Sequence, residues 1–330
     1  MKIAVVILNW NGHKLLEQFL PSVVQYSPEA VIYVADNAST DTSVSFIKEN
    51  FPTVQIIQNQ SNFGFAQGYN EALKFINEDY LALVNSDIEV TENWLQPILE
   101  TFGNESQTAI IQPKILDYKN KEYFEYAGAA GGFIDQYGFP FCRGRIFDTI
   151  EKDNGQYEDN REIFWASGAC FFIRNSVYKE LNGFDADFFA HQEEIDLCWR
   201  AFNKNYTVRY NSKSTVYHVG GATLNEGNPK KTFLNFRNSL LMLVKNLPKS
   251  SLFSILFLRL CLDGIAGIKF LTQGKFSHCW AIIKAHFHFY HLISHNYKKR
   301  GEVQIKKYYK LKSVVYCYYT KKKRYFANLF

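Results

Sequence analysis

The feature that most constrains this chain is an alternation repeated four times near its start. A short apolar run ends in polar residues, and a segment of helical periodicity follows. The runs occupy residues 3–8, 31–35, 54–57 and 81–84. All four read as strands, and the continuous run at 81–84 fits a strand buried on both faces. After the first, Leu15, Leu16, Phe19, Leu20 and Val23 mark a helix over residues 13–26. Ser39 or Thr40 is placed to cap a second helix carrying Val44, Ile47 and Lys48. Further helices are predicted over 65–76 and around 94–102. Strands alternating with helices over short links predict an α/β fold, a mainly parallel sheet with helices on both faces. Right-handed crossovers then bring the carboxyl ends of the strands to one edge.

That edge is where open α/β sheets place their ligands. Asn9, Asp36, Asn62 and the tripeptide Asn85-Ser86-Asp87 end the four runs or follow closely. Each alone is ordinary turn chemistry. Together they outline a nucleotide-sized crevice. The Asp87 carboxylate suits a divalent cation held against a phosphate. The tripeptide suits a strand-ending turn as well, and these residues alone leave both readings open. No Gly-x-Gly-x-x-Gly follows the first run and no Gly-Lys-Ser/Thr loop is present, which disfavours a dinucleotide oxidoreductase or a P-loop enzyme.

Downstream the pattern loosens. Residues 113–161, rich in glycine and aromatics, read as extended segments and loops forming part of a substrate wall. Residues 163–173 read as a strand interrupted at Ser167-Gly168, where glycine marks a bulge or close backbone approach. A helix begins near Glu193, with Ile195, Cys198, Trp199 and Phe202 as its apolar stripe. Acidic residues favour a helix N-terminus, and Asp196 can pair with Arg200. Glu193 and Glu194 need a further reason, and a carboxylate at the mouth of a site is what a general base requires. Residues 206–210 and 215–219 read as strands, the second carrying His218 before Gly220-Gly221.

Taken in order, IAVVILNWNG, VADNASTD, LALVNSD, and FFAHQEEIDLCWR followed by YHVGG resemble the family-two inverting glycosyltransferases of GT-A fold, in their rhamnosyltransferase-like branch. The resemblance covers roughly residues 1–221. It implies a nucleoside-diphosphate sugar donor, uridine- or thymidine-linked, and a divalent metal, Mn2+ or Mg2+. Asp36 matches the carboxylate that contacts the base. Asn85-Ser86-Asp87 matches the Asp-x-Asp motif, with Asp87 on the metal and Asn85 as an uncharged replacement for an aspartate near the ribose or metal. Glu193-Glu194 matches a Glu-Asp pair whose second member is the catalytic base, here Glu194. His218 matches a histidine that completes the metal shell in some members, and Ser167-Gly168-Ala169 resembles a segment near donor sugar and acceptor. The expected donor-binding set is thus Asn9, Asp36, Asn37, Asn62, Gly64, Asn85, Asp87, Gly168 and Glu193. A nucleotidyltransferase is the competing enzyme class, but lacks its Gly-rich basic loop here. A catalytically inactive, membrane-associated nucleotide-sugar-binding protein is the other alternative.

Charge divides the chain. Residues 1–229 hold 17 Lys and Arg against 30 Asp and Glu, and residues 230–330 hold 20 against 2. The first part is read as the GT-A domain and the second as a helical, basic, aromatic region near a membrane. An anionic lipid surface fits this tail, and no nucleic-acid motif is present. Residues 252–271 form the one span candidate. Twelve Leu, Ile and Phe favour insertion by roughly 4–7 kcal/mol, and Arg259 and Asp263 oppose it by about 5–7. A helix lying on the membrane or packed against the protein is preferred to one that spans. The N-terminal apolar run is too short for a signal-peptide core. No Cys-x-x-Cys pair occurs among the six cysteines, several of which lie in apolar runs and read as buried thiols in a reducing compartment. The expected location is cytoplasmic, peripheral at the inner face of the cell membrane, with a polysaccharide or lipid-linked glycan as acceptor.

Overall fold

A computed structural model describes residues 1–220 and 227–330. Gly221, the last residue of the YHVGG segment, lies outside them. The alternation becomes β1 (Ile3–Asn9), α1 (His13–Tyr26), β2 (Ala30–Asp36), α2 (Ser43–Asn50), β3 (Gln55–Gln58), α3 (Gly64–Ala72), β4 (Tyr80–Asn85), β5 (Ile88–Val90) and α4 (Gln96–Asn104). Then follow β6 (Thr108–Asp117), a small antiparallel sheet of β7 (Gly132–Ile134), β8 (Pro140–Cys142), β9 (Arg145–Ile146) and β10 (Thr149–Ile150), and β11 (Asn160–Ile163), β12 (Cys170–Arg174), α5 (Asn175–Glu180), α6 (Glu193–Asn203) and β13 (Thr207–His218). Three long helices close the chain: α7 (Pro229–Asn246), α8 (Lys249–Thr272) and α9 (Phe276–Lys298).

The main sheet runs β3-β2-β1-β4-β12-β6-β13-β11, with β5 beside β13. β1, β2, β3 and β4 are parallel, and β6 pairs parallel with β13. β12 enters antiparallel between β4 and β6. β4 is the centre: Leu81, Ala82, Leu83 and Val84 are fully buried, as a run without alternation requires. Cores fill both faces, one around Ala4, Val6 and Leu83, the other around Val5, Ile7 and Val84.

Several expectations are corrected. The helix after β3 is α-helical only to Ala72, and a single 3-10 turn over Leu73–Phe75 completes it. Neither Ser39 nor Thr40 caps α2: Thr42 stands at the N-cap without a side-chain cap bond, Asp41 Oδ1 accepts from Ser43 N at 3.0 Å, and Ser39 is drawn toward β1. Residues 163–173 are not one strand: β11 ends at Ile163 on the edge of the sheet, and β12 begins at Cys170 between β6 and β4, with Ser167-Gly168 in the stretch that links them. Residues 207–218 are one strand, not two, with an irregularity between Asn211 and Thr215. It lies opposite Pro113 and Lys114, where the proline withholds a ladder donor. The same proline, with Gln112 and Lys114, hides β6 in the sequence. Of the cysteines, Cys142, Cys170 and Cys198 are buried but Cys261 is exposed.

Candidate active site

The strand ends converge as the topology demands. Asn9 pairs in register with Asp36, and Leu8 with Asn85. Asn9 Nδ2 donates to Asp36 Oδ1 at 3.2 Å, and Ser39 N donates to Asp36 Oδ2 at 3.0 Å, so Asp36 is buried with both oxygens engaged. A Cβ at Gly12 would stand 2.4 Å from Asn9 Oδ1, an atom that has no hydrogen-bond partner. Asn37 Nδ2 donates to Gly64 O at 2.9 Å and to Asn62 Oδ1 at 3.2 Å. Asn62 itself is exposed and accepts from Gly64 N at 3.0 Å, the turn role open to it from the sequence. Asn59, which the sequence does not single out, completes this network by donating to Asn37 Oδ1 at 2.9 Å.

The second cluster lies beyond β4. Asp87 and His218 are buried, and His218 Nε2 stands 3.2 Å from Asp87 Oδ1. The pairing of β13 with β5 places them there, since His218 registers with Ile88. On the other side of the ring, Nδ1 lies 3.2 Å from Glu125 Oε1 without hydrogen-bond alignment. Burial works against a charged imidazole, but Glu125 and Asp87 outweigh it and raise His218 to about 10. Burial likewise opposes charge on Asp87, yet His218 holds its carboxyl below the ordinary value. The 3.2 Å between Asp87 Oδ1 and His218 Nε2 suits two ligands of one cation at bonds of about 2.0–2.3 Å. Among the described residues no group of three or more His, Cys, Asp or Glu is arranged to hold a metal by itself. Glu125 escaped the sequence reading because it sits in the irregular glycine-rich stretch, with no periodicity around it.

The third cluster is the entry to α6. Phe189 has φ 63° and ψ −58°, and Ala190 N donates to Phe188 O at 2.7 Å, which makes a tight γ-turn. His191 and Gln192 follow at φ 70° and 74°. Left-handed backbone at a non-glycine residue costs about 1–3 kcal/mol and concentrates at functional sites. Gly64 accommodates this turn: a Cβ there would meet the Phe189 ring at 2.6 Å. His191, Gln192, Glu193 and Glu194 are consecutive, and each has a buried side-chain polar atom without a hydrogen-bond partner. Buried polar groups are normally paired, so four in a row point to a missing ligand. Burial pushes Glu194 up to about 7, against hydrogen bonds from nearby backbone including Gly168. Burial and the adjacent Glu194 push Glu193 well above the usual carboxylate range. Burial holds His191 down to about 4, a neutral imidazole.

Short contacts join the three clusters. Asn85 N donates to Ala169 O at 2.9 Å, and a Cβ at Gly168 would lie 3.7 Å from the Glu194 carboxyl carbon. Ser86 Oγ lies 3.8 Å from the same kind of position at Gly12. The arrangement can therefore hold a polar ligand along the strand ends, a cation at Asp87 and His218, and a proton at Glu194.

The profile of Glycosyl transferase family 2 matches residues 4–182. The chain belongs to this family. It is a glycosyltransferase, and its match runs through Asp36 and Asp87 and stops short of Glu193. N-acetylglucosaminyl-diphospho-decaprenol L-rhamnosyltransferase of Mycobacterium tuberculosis is 22% identical over 231 residues, 66% of this chain and 75% of the relative. Among solved structures, GalNAc-T7 with UDP, GalNAc and Mn2+ superposes with a TM-score of 0.60 at 16% identity, covering 76% of this chain and 48% of that one. S. aureus TarS 1–349 in complex with UDP-GlcNAc gives 0.57 at 15% identity, covering 91% and 84%. The glycosyltransferase thus has the GT-A fold and a helical C-terminal region, and spans about half the length of GalNAc-T7.

Proposed function

We propose that this glycosyltransferase moves a sugar, with inversion, from a UDP- or dTDP-linked donor to a hydroxyl of a polysaccharide or lipid-linked oligosaccharide. The observation that carries the reading is the pairing of Asp87 with His218 near Glu193 and Glu194, each of which keeps a buried Oε2 without a partner. Asp36, held by Asn9, faces the base, and Asn37, Asn62 and Gly64 shape the wall beside it. Asn85 lies toward the ribose, and Gly168 and Glu193 lie toward the donor sugar. Asp87 and His218 fit a Mn2+ or Mg2+ ion, which when bound neutralises charge on the diphosphate. Glu194 takes the proton of the acceptor hydroxyl. The new carbon–oxygen bond forms at the anomeric carbon as the bond to the diphosphate breaks on the opposite face. Much of the rate comes from holding the two partners in line. GalNAc-T7 was solved with UDP and Mn2+, and the M. tuberculosis relative is named for a diphospho-decaprenol substrate, which support this reading.

Residues 1–229 form the catalytic domain in this proposal, and residues 230–330 rest on the cytoplasmic face of a membrane. The polarity of α8 supports the second part. It is the one described helix long and apolar enough to cross a membrane by length and composition. Yet Arg259 and Asp263 are 3% and 1% exposed, while Phe253 and Phe257 are 83% and 62% exposed. Arg259 donates to Tyr137 O and Ser239 Oγ, both at 2.9 Å, and His286 lies 3.2 Å from Asp263. On α9, Phe276, Trp280, Ile283, Phe287 and Tyr290 recur at three- and four-residue spacing and are all exposed. Charge faces inward and apolar rings face outward, the arrangement of a surface seated in lipid. A screen of nucleotide sugars with Mn2+ or Mg2+ tests the activity. Metal-dependent donor turnover by wild type and its loss in Asp87→Ala is the expected result. A wild type that neither binds nor turns over any donor contradicts the proposal.

A further inference from the structure

The strained turn before Glu193 is not held by its own sequence. It is held from outside, by α7, beyond the residues that the family profile matches. Asn238 is fully buried, and its Nδ2 lies 2.9, 2.9 and 2.7 Å from the carbonyl oxygens of Phe188, Ala190 and His191. Arg237 Nε donates to Asn238 Oδ1 at 2.9 Å, which fixes the amide with its NH2 toward the turn. Arg237 Nη2 also donates to the carbonyls of Asp187 at 2.8 Å and Phe188 at 3.1 Å. Two adjacent side chains thus gather the carbonyls of Asp187, Phe188, Ala190 and His191, four of the six residues that precede the acidic pair. From the other side, Phe65 N and Ala66 N at the start of α3 donate to Phe189 O at 2.8 and 3.3 Å. A γ-turn followed by two left-handed residues is a conformation that this stretch of chain would leave if released.

We infer that Asn238 and Arg237 are positioning residues for Glu194, a polar clamp through which the C-terminal helix α7 fixes the approach of the catalytic carboxylate. The inference rests on the assignment of Glu194 as the base. The clamp touches neither donor nor acceptor. It acts by holding the backbone that presents His191, Gln192, Glu193 and Glu194 to the site. Loss of the clamp therefore affects the chemical step and leaves nucleotide binding along β1 and β2 in place.

The test uses the full chain with Asn238→Asp, which keeps size and the Arg237 contact but removes the donor, and Arg237→Ala as the second variant. Hydrogen exchange of peptides spanning residues 186–194 is compared with peptides from β1 and β4. The inference expects exchange to rise at least 10-fold in that segment alone, with nucleoside diphosphate affinity in the presence of Mn2+ within about 2-fold of wild type. It expects kcat to fall 10-fold or more, and the midpoint of the kcat–pH profile to move down as water reaches Glu194. Unchanged exchange at residues 186–194 in both variants overturns the clamp, as does exchange that rises uniformly through the sheet. Exchange is read without turnover, so an inactive wild type would count against the function proposed above and leave the clamp still decided.

Discussion

Glu194 is placed where stability and chemistry conflict. Burial raises its carboxyl to about 7, against an unperturbed value of about 4.3. The folded state prefers the protonated form. Its contribution to stability is complete below the ordinary glutamate range and is lost as pH rises through about 7. The base must be ionised to act, so kcat/KM should rise with pH through about 7 and level off above it, as a pH–rate profile will record. Glu125, in contact with His218, has a different task. Its carboxylate stands beside His218 Nδ1, as partners of ligating histidines commonly do. Glu125→Ala should weaken Mn2+ affinity about 10- to 100-fold, measured by calorimetry without turnover. At this scale the sequence was partly legible. Asp36, Asp87, Glu194 and His218 stood out through motif and strand position, whereas Glu125 and Asn59 lie in stretches whose linear pattern carries no sign of what they touch.

α6 shows how one element serves both core and site. Its first turn presents Glu193 and Glu194, and in the same turn Asp196 is fully buried. Asp196 accepts from Arg200 at 2.8 Å, from Lys245 at 2.8 Å and from Asn246 at 2.8 Å. Lys245 also reaches Asp185 at 2.6 Å, so α6, α7 and the preceding turn share one buried network. The pairing of Asp196 with Arg200 was legible from its i,i+4 spacing, but the partners on α7 were not, since nothing local links positions so far apart. Burial opposes charge on Asp196 and Asp185, yet Lys245 holds both below the usual carboxylate range. Their contribution is therefore present above the unfolded value of about 3.9 and is lost as pH falls below it. Asp196→Ala leaves Lys245 with Asp185 alone and takes the buried acceptor from Arg200 and Asn246, and should cost about 1–3 kcal/mol, read from chemical denaturation near neutral pH. The elements themselves were predicted best where apolar runs were unbroken, as in β4. β6 was missed because Pro113 and its polar neighbours interrupt it, and only pairing with β12 and β13 reveals it as a strand.

At the scale of the whole molecule, an acidic catalytic part and a basic helical part meet along α7. The sequence made the charge division plain, and it weighed α8 as near-neutral between membrane and water. The fold turns that balance into an orientation, with Arg259 and Asp263 inward and the phenylalanines outward. Cosedimentation with phosphatidylglycerol vesicles should be strong at low salt and weaken as salt rises. The double substitution of Phe253 and Phe257 to Ser should lower it several-fold while donor turnover in solution is kept. The parallel order of β1, β2 and β4 brings Asp36 and Asp87 to one edge, and the contacts of Asn85 with Ala169 and of Gly168 with Glu194 join to it an acidic pair more than a hundred residues later in the chain. That convergence is tested most directly by Glu194→Gln, measuring nucleoside diphosphate binding with Mn2+ and sugar transfer on the same preparation. The account predicts binding within about 3-fold of wild type and transfer reduced by about 10²–10⁴-fold. Transfer at the wild-type rate by the folded variant would contradict it.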